Sequence, residues 1–265
     1  MITLHNKDCL EGMQDIDDNT IDLTLTSPPY DNLRDYNGYC FDFENTAKEL
    51  YRVTKQGGIV VWIVGDETKN FCESLTSFKQ AIYFVENCGF KLLDTMIYQK
   101  NSYPPTYPNM RRYSQTFEYM FVFSKGKPKT FNPQKQLKKF DKRVKNTHTQ
   151  RQKDGSTKGS SYLNNTKFKN YTNVWLLNVG YMKSSKDKIS FDHPATFPEE
   201  LAKRHILTWT NENDLVFDPF MGSGTTAKMC LFLDRNFIGH EISNKYYKIA
   251  KQRLDNYQQQ IKLKI

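Results

Sequence analysis

Apolar and polar residues alternate along most of the chain in short blocks that predict strands and helices in turn. Glycine and proline separate these blocks, and the apolar runs between them are short enough for buried strands. Strands that alternate with helices of this length are typical of βαβ units and a mainly parallel sheet. The predicted strands are 2–5, 21–27, 59–65, 91–100, 117–125, 214–220 and 236–242, and the predicted helices are a short one after the first strand, 45–55, 76–87, 198–210, one from about Thr225 and one at the C-terminal end.

The alternation fails between about residues 126 and 189. Residues 146–170 are rich in Gly, Ser, Thr, Asn and Lys and nearly free of aliphatic side chains, which predicts a loop. From Lys125 to Lys188 there are 17 basic and 3 acidic residues, a net charge of +14, so the rest of a chain of net charge +9 carries −5. This segment is either a solvated surface insertion or a module that binds a polyanion, because clustered Lys and Arg displace counterions from phosphates.

The composition excludes several other classes of protein. With 38% hydrophobic and 25% charged residues, the chain is expected to be globular. It contains no apolar run near the roughly 20 residues of a membrane span, and its first residues do not resemble a signal peptide. The five cysteines show no CxxC spacing, which argues against a disulfide framework or zinc site and favours a cytoplasmic location.

Two short motifs carry candidate chemistry. The first is Thr26-Ser27-Pro28-Pro29-Tyr30, directly after an apolar strand, where parallel sheets bind ligands. Two prolines stiffen this turn and remove two N–H donors, which leaves carbonyl acceptors beside a hydroxyl group and an aromatic ring. Such a turn could hold a planar ring that bears an amino group, although a rigid surface turn would have the same sequence.

The second motif is a strand, an acid, a Gly-Ser-Gly turn and the start of a helix, in residues 215–226. Its glycines permit a tight turn and close backbone approach, and a helix N-terminus attracts anionic groups. It is neither a P-loop nor a nucleophile elbow, because both of those spacings are absent. Glu241 follows Asp218 by 23 residues at the end of the next strand, where nucleotide-binding sheets place the acid that holds ribose hydroxyls.

Together, SPPY at 27–30 and DPFMGSGTT at 218–226 resemble the two signature turns of the amino-group DNA methyltransferases. The catalytic turn precedes the cofactor turn with a basic insertion between them, which is similar to the circularly permuted beta class. The resemblance implies a Rossmann-like α/β fold, with helices on both faces of a twisted, mainly parallel sheet, that uses S-adenosylmethionine and no metal. It divides the chain into a catalytic part (1–125), a target-recognition insertion (126–189) and a second catalytic part (190–265).

The resemblance also implies roles for individual residues. Ser27, Pro28 and Pro29 would form the catalytic turn, and Tyr30 would stack on a flipped base. Asp8 would lie near the cofactor's adenine and Glu241 at its ribose. The other implied cofactor residues are Asp218, Pro219, Phe220, Gly222, Ser223, Gly224 and Thr225 of the cofactor turn, and His193, Pro194 and Phe197 of a segment that closes over it.

The implied substrate is double-stranded DNA. A Ser at the first catalytic position leans slightly toward cytosine N4 over adenine N6. The alternatives are an RNA amino-methyltransferase and a catalytically silent DNA-binding protein, and a homodimer and a cognate restriction endonuclease stay open as partners. The residues expected to contact DNA are Arg111, Arg112, Lys138, Lys139, Lys142, Arg143, Lys145 and Arg151. The alternative is that they are ordinary exposed residues of a surface loop.

Overall fold

The structure, a computed structural model, describes residues 1–29, 41–103, 111–138, 144–164 and 166–262. Contacts divide the chain into two compact units, one of residues 1–132 with 173–265 and one of residues 133–172. The second unit lies inside the predicted insertion of 126–189 and is shorter than it at both ends. Among the described helices, none combines the length and apolar composition that crossing a bilayer requires.

Within its described residues, the first unit contains a sheet of eight strands with helices on both faces, and a separate two-stranded hairpin. The strands and helices of the unit are as follows. Its strands are β1 (Ile2–His5), β2 (Ile21–Thr26), β3 (Thr54–Val64), β4 (Thr68–Lys69), β5 (Cys72–Glu73), β6 (Lys91–Lys100), β7 (Phe117–Ser124), β12 (Val174–Leu177), β13 (Leu215–Asp218) and β14 (Asn236–His240). Its helices are α1 (Cys9–Met13), α2 (Phe43–Val53), α3 (Thr76–Glu86), α4 (Glu199–Trp209), α5 (Thr225–Phe232) and α6 (Asn244–Lys262), with a 3-10 helix at Lys188–Asp192.

The strand order of the large sheet is β1-β14-β13-β2-β3-β7-β6-β12, while β4 and β5 form a separate hairpin. Every neighbouring pair in this sheet is parallel except β3–β7 and β7–β6. The expected mainly parallel α/β fold is therefore confirmed, with β7 as the one antiparallel strand.

Both faces of the sheet are buried, as the continuous apolar strands predict. On β3, Val61 and Ile63 join a core with α4, α5 and α6, whereas Val60, Trp62 and Val64 join a second core with α1, α2 and α3. Burial on both faces fixes the register of the strands, because a slip of one residue would exchange the two sets of side chains. The strand ends, and the turns that follow them, are thereby held in place.

Helix α2 differs in its bounds from the prediction of 45–55. It begins at Phe43 because the Asp42 carboxylate accepts a hydrogen bond from the Asn45 N–H at 3.2 Å, an N-terminal cap. It ends at Val53, and Gly57 lies inside β3 with a φ of +79° rather than at the helix end. The Gly57 N–H donates to the Lys125 carbonyl at 2.7 Å, so the glycine allows a tight crossing between two chain segments.

The described residues of the second unit form two antiparallel strand pairs, and the expectation of a loop over 146–170 was wrong for most of that range. Its strands are β8 (Lys135–Leu137), β9 (Val144–Arg151), β10 (Thr157–Asn164) and β11 (Phe168–Asn170), paired β8–β11 and β9–β10. The turn between β9 and β10 contains Gly155 at a φ of +84° and Asp154, whose carboxylate accepts from the Ser156 N–H at 2.9 Å. A polar hairpin like this lacks the apolar alternation by which strands are recognised in a sequence.

Candidate active site

Four neighbouring parallel strands end at one edge of the sheet, and a predicted site residue lies at the end of each. Asp8 follows β1, Glu241 follows β14, Asp218 ends β13 and Ser27 follows β2. The switch point of the sheet lies between β13 and β2, because the chain passes from β13 to β14 on one side and from β2 to β3 on the other. Ligands of open α/β sheets bind in the crevice that this arrangement creates.

A cavity of about 910 Å³ opens along this edge. It joins the Ser-Pro-Pro turn to the glycine turn and to the segment at His193, which the sequence places far apart. Asp218 and Gly224 do not line it, and Tyr30 lies outside the described residues. The predicted site residues that line the cavity are Asp8, Ser27, Pro28, Pro29, His193, Pro194, Phe197, Pro219, Phe220, Gly222, Ser223, Thr225 and Glu241.

The glycine turn requires both of its glycines. Gly222 has a φ of +50° and Gly224 a φ of +76°, in the left-handed region that favours glycine. A Cβ atom on Gly222 would lie 2.9 Å from Nε2 of His193, and one on Gly224 would lie 3.0 Å from Cβ of Ala250. The first contact packs the turn against the cavity wall and the second packs it against α6.

Asp218 organises the site from behind instead of lining it. Its side chain accepts hydrogen bonds from the Thr26 hydroxyl at 2.7 Å, the Thr226 hydroxyl at 2.7 Å and the Phe220 N–H at 3.1 Å. Burial raises its pKa to about 6, although these hydrogen bonds lower it. Because Thr26 immediately precedes Ser27 and Thr226 lies in α5, Asp218 connects the catalytic turn to the glycine turn.

Glu241 does face the cavity, and it holds the glycine turn at the same time. Its Oε2 accepts from the Gly222 N–H at 3.0 Å and its Oε1 from the Ser243 N–H at 2.8 Å. Burial raises the pKa of this carboxyl to about 7, against the lowering effect of the two N–H donors. A carboxylate held in this way presents its remaining lone pairs to the cavity, where they can accept hydrogen bonds from hydroxyl groups.

The other two candidate cofactor elements are also fixed by local contacts. Asp8 caps α1, where its Oδ1 accepts from the Leu10 N–H at 2.8 Å, so its carboxylate is held at the cavity wall. His193 accepts a hydrogen bond from the Ala195 N–H at Nδ1, and its ring packs edge-on against Tyr246 with centroids 4.2 Å apart. The segment around His193 therefore forms a preformed wall of the cavity.

A buried ion cluster of Asp187, Glu199, Lys228 and Arg253 supports this wall, and sequence reasoning missed it. Arg253 on α6 is 1% exposed; its Nε donates to Asp187 at 2.7 Å and its Nη2 to Glu199 at 2.5 Å. Lys228 donates to the same two carboxylates at 2.7 and 2.9 Å. Both acids lie at the ends of segment 188–198, so the cluster holds the two ends of the wall that contains His193.

Arg253 also contacts the glycine turn directly. Its Nη1 donates to the Ser223 carbonyl at 3.1 Å and to the Thr225 hydroxyl at 2.9 Å. The sequence feature that could have revealed Arg253 is its position in α6, where it shares the inner face with the buried apolar residues Ala250 and Leu254. An arginine at an inward-facing helix position is unusual unless it is paired.

The predicted DNA contacts fall into three groups. Arg112 is ion-paired with Glu73 at 2.6 Å, whereas its neighbour Arg111 is exposed. In the second unit, Lys138 follows β8, and Lys145 and Arg151 lie on β9. Lys139, Lys142 and Arg143 lie outside the described residues. Residues 133–172 contain 11 basic and 2 acidic residues, so this unit carries a net charge equal to the +9 of the whole chain.

The donor set fits S-adenosylmethionine. Two carboxylates at adjacent strand ends can accept from the amino and hydroxyl groups of a nucleoside, and the space over Gly222 has no room for a side chain. The fold and the site thus define a nucleoside-binding α/β enzyme of the methyltransferase type.

Comparison with known proteins identifies the family. A family model described as DNA methylase matches residues 21–252, and the chain belongs to this family of N6/N4 amino-methyltransferases. It is 55% identical over 249 residues to the orphan methyltransferase M.BamHII of Bacillus amyloliquefaciens, with 92% of each chain covered. It is 28% identical to the type II methyltransferase M.HpaI of Haemophilus parainfluenzae, covering 93% of this chain and 72% of that one.

Solved structures agree with this assignment. The M1.HpyAVI–SAM complex has a TM-score of 0.62 at 25% identity, covering 96% of this chain and all of the other. The cytosine-N4-specific PvuII DNA methyltransferase has a TM-score of 0.67 at 19% identity, covering 94% and 85%. The expected fold, cofactor and DNA amino-methyltransferase activity are confirmed. The alternatives of an RNA enzyme and of a silent DNA-binding protein are set aside.

Proposed function

We propose that this chain methylates the exocyclic N4 amine of a cytosine that has been turned out of the DNA duplex. The target amine lies inside the duplex, so the base must leave the stack to reach a cavity. The observation that carries the proposal is the Ser-Pro-Pro turn, because Ser27 and Pro28 line the same cavity as the glycine turn. A Ser at the first position supports cytosine over adenine, whose N6 amine is the alternative.

The catalytic turn acts by accepting hydrogen bonds. An exocyclic amine is a weak nucleophile because its lone pair is delocalised into the ring. In our proposal, Ser27 Oγ and the Pro28 carbonyl oxygen accept from the amine and stabilise the positive charge that develops on it. Two consecutive prolines hold these acceptors in position before the base arrives. The flipped base would stack on Tyr30.

The cofactor residues serve alignment, since direct methyl transfer depends above all on the relative placement of the two reactants. When bound, S-adenosylmethionine supplies a methyl group on a positively charged sulfonium. We assign Asp8 to its adenine, Glu241 to its ribose hydroxyls and the turn at Gly222 to its methionine end. The hydrogen bonds of Asp218 to Thr26 and Thr226 keep the base side and the cofactor side in register.

We assign target recognition to the second unit, residues 133–172, on the basis of its positive charge. Each phosphate contact lowers the logarithm of the DNA affinity by roughly 0.9 per tenfold rise in salt. Arg151→Ala should therefore reduce this slope by about 1. Lys248→Ala, an exposed lysine of α6 in the first unit, is the matched control and should leave the slope unchanged. An unchanged slope for Arg151→Ala would remove that residue from the DNA interface.

The 55% identical relative is named an orphan methyltransferase. We propose that this chain likewise acts on DNA in the cytoplasm without a cognate restriction endonuclease. The homodimer that the resemblance leaves open is tested by light scattering of the purified protein with and without DNA.

The experiment that tests the proposal is transfer of an isotope-labelled methyl group to unmethylated duplex DNA, followed by mass spectrometry of the nucleosides. N4-methylcytosine is the expected product. Detection of N6-methyladenine instead would show that the target base is adenine. Ser27→Ala should lose at least about tenfold in rate, since one transition-state hydrogen bond is lost, while cofactor affinity is retained. Thr20→Ala is the control and should keep full activity, because the Thr20 hydroxyl precedes the first residue of β2, at the opposite end of the strand from Ser27.

A further inference from the structure

The cavity extends past the Ser-Pro-Pro turn, away from all of the cofactor residues. Strand β2 has β13 on one side and β3, β7 and β6 on the other. Because β7 is antiparallel to both of its neighbours, β6 ends and β7 begins at the same edge of the sheet as Ser27. The cavity-lining residues on this side are Asp66, Thr68, Tyr98, Lys100, Ser102, Gln115, Phe117 and Glu118.

If Ser27 contacts the target amine as proposed above, this part of the cavity would hold the methyl acceptor. Asp8, Glu241 and the glycine turn follow β1, β14 and β13, which are all on one side of β2. A base that contacts Ser27 and receives a methyl group from that side must extend toward β3, β7 and β6. Its ring edge, apart from the amine, then faces the ends of β6 and β7.

An ion pair lies on this wall. Nζ of Lys100, at the end of β6, is 2.5 Å from Oε1 of Glu118 on β7, and the two side chains are 29% and 15% exposed. Tyr98 is buried in register with Glu118, and its ring centroid is 5.7 Å from Nζ of Lys100. The pair joins two strands that backbone hydrogen bonds already join, and partial burial of two charges is costly. It holds an ammonium group with further N–H donors at the cavity wall.

We propose that Lys100 is a specificity-determining residue that donates a hydrogen bond to the O2/N3 edge of the target cytosine. This inference rests on the proposed cytosine N4 activity. Cytosine presents two adjacent acceptors, N3 and O2, next to its amine, whereas adenine presents N1 and then a carbon-bound hydrogen. An ammonium group therefore complements cytosine at a position where adenine offers no acceptor. Glu118 is a positioning residue that holds Lys100 in place.

The test uses Lys100→Met in the full-length protein, with Lys55→Met as the matched control. Lys55 also pairs with a strand carboxylate, Asp22, at 2.6 Å, but it lies at the opposite edge of the sheet. Methylated positions are first mapped on unmethylated DNA to give the recognition sequence. Lys100→Met should lower kcat/KM for DNA by about tenfold or more, the usual effect of losing a hydrogen bond to a charged group. Lys55→Met should change it less than about twofold, because neither Lys55 nor Asp22 lines the cavity.

A base analogue then separates recognition from a merely structural role. A 2-aminopyridine C-nucleoside keeps the amine and the ring nitrogen of cytosine and lacks the O2 carbonyl. For each protein, kcat/KM with this analogue at the target position is compared with kcat/KM with cytosine there. The analogue should lower the value about tenfold in the wild type and in Lys55→Met, but less than about twofold in Lys100→Met. Equal losses in all three proteins would overturn the proposal.

Two further outcomes are distinguishable. If the wild type yields N6-methyladenine, the cytosine proposal and this inference both fail. If it yields N4-methylcytosine and Lys100→Met retains full activity, only this inference fails. Should Lys100→Met fail to fold because Glu118 is left unpaired, the double variant Lys100→Met/Glu118→Met, which removes both the donors and the carboxylate, takes its place under the same criterion: loss of sensitivity to O2 removal supports the proposal and unchanged sensitivity overturns it.

Discussion

The buried ion cluster of Asp187, Glu199, Lys228 and Arg253 allows a sharp prediction about stability. Arg253→Met removes all of the donors of the guanidinium, so Lys228 would be the remaining cation of the cluster. The Ser223 carbonyl and the Thr225 hydroxyl would lose a partner as well. Although burial alone would raise it, hydrogen bonds from Arg253 and Lys228 lower the pKa of Asp187, so the variant loses part of what compensates this carboxylate.

The magnitude follows from the burial of the cluster. Removing one partner of a buried ion pair costs about 3–5 kcal/mol, and the lower value applies here because the two acids are 23% and 18% exposed and Lys228 remains. A loss of about 3 kcal/mol should lower Tm by roughly 6–12 °C in a domain of this size. Cofactor affinity should also fall, by about tenfold, because Arg253 supports both the glycine turn and the segment that contains His193.

Thermal unfolding by circular dichroism and calorimetric titration with S-adenosylmethionine measure the two effects. The control is Arg204→Met, which removes a pair with the half-exposed Glu200 at 2.8 Å, worth at most about 1 kcal/mol. If the free energies of unfolding of Arg253→Met and Arg204→Met differ by less than about 1 kcal/mol, the cluster does not stabilise the site and the reasoning is refuted. Arg253→Lys, which keeps the charge but not the planar fork, should fall between the two.

Two further predictions concern the cofactor pocket. Gly222→Ala should weaken cofactor binding by about tenfold or more, because strain and the His193 ring oppose a Cβ there, whereas Gly155→Ala, with a φ of +84° and open space around it, should not weaken it in the same titration. Since ionised Glu241 is the better acceptor and its pKa is about 7, cofactor affinity should rise with pH through 7 and level off above it, while Glu241→Gln should flatten this profile. An unaltered profile in Glu241→Gln would assign the titration to another group, such as Asp218 with its pKa of about 6.

The raised pKa of Glu241 also has a consequence for the unliganded protein. A carboxyl whose pKa is about 7 when folded and near 4.5 when unfolded binds more protons in the folded state between those values. Its contribution to the stability of the fold is therefore present below about pH 4.5 and is lost as the pH rises through 7. The same charge that favours the cofactor is thus a cost in its absence.

Much of the site was predictable because it depends on strand ends. Ser27 and Glu241 follow apolar strands, and parallel strands bring their ends to one edge whatever their order in the sequence. The actual role of Asp218 was not predictable. It depends on β13 pairing with β2, which places the Thr26 hydroxyl 2.7 Å from a carboxylate 192 residues away. A sequence shows that a strand ends in an acid but not which hydroxyl groups surround it.

Arg253 and the hairpin of the second unit were missed for different reasons. The role of Arg253 depends on which face of α6 is buried and on two acids from a distant segment, and long-range pairing of this kind leaves no local pattern. The β9–β10 hairpin is polar on both faces, so the period-two apolar signal that identifies a strand is absent. Arg253 was missed because its partners are distant in the sequence, and the hairpin was missed because its strands lack apolar residues at alternate positions.

The insertion point explains how one scaffold can carry a second compact unit. The chain leaves the first unit at Asn132, whose N–H donates to the Thr208 carbonyl at 2.8 Å, and returns at Asn173, whose carbonyl accepts from the Ile97 N–H at 2.8 Å. The Asn173 side chain also donates to Asp94 at 3.2 Å. Both ends are therefore held by α4 and β6, which belong to the catalytic fold. Residues between them can change with little effect on the cavity, because the described residues that line it all belong to the first unit.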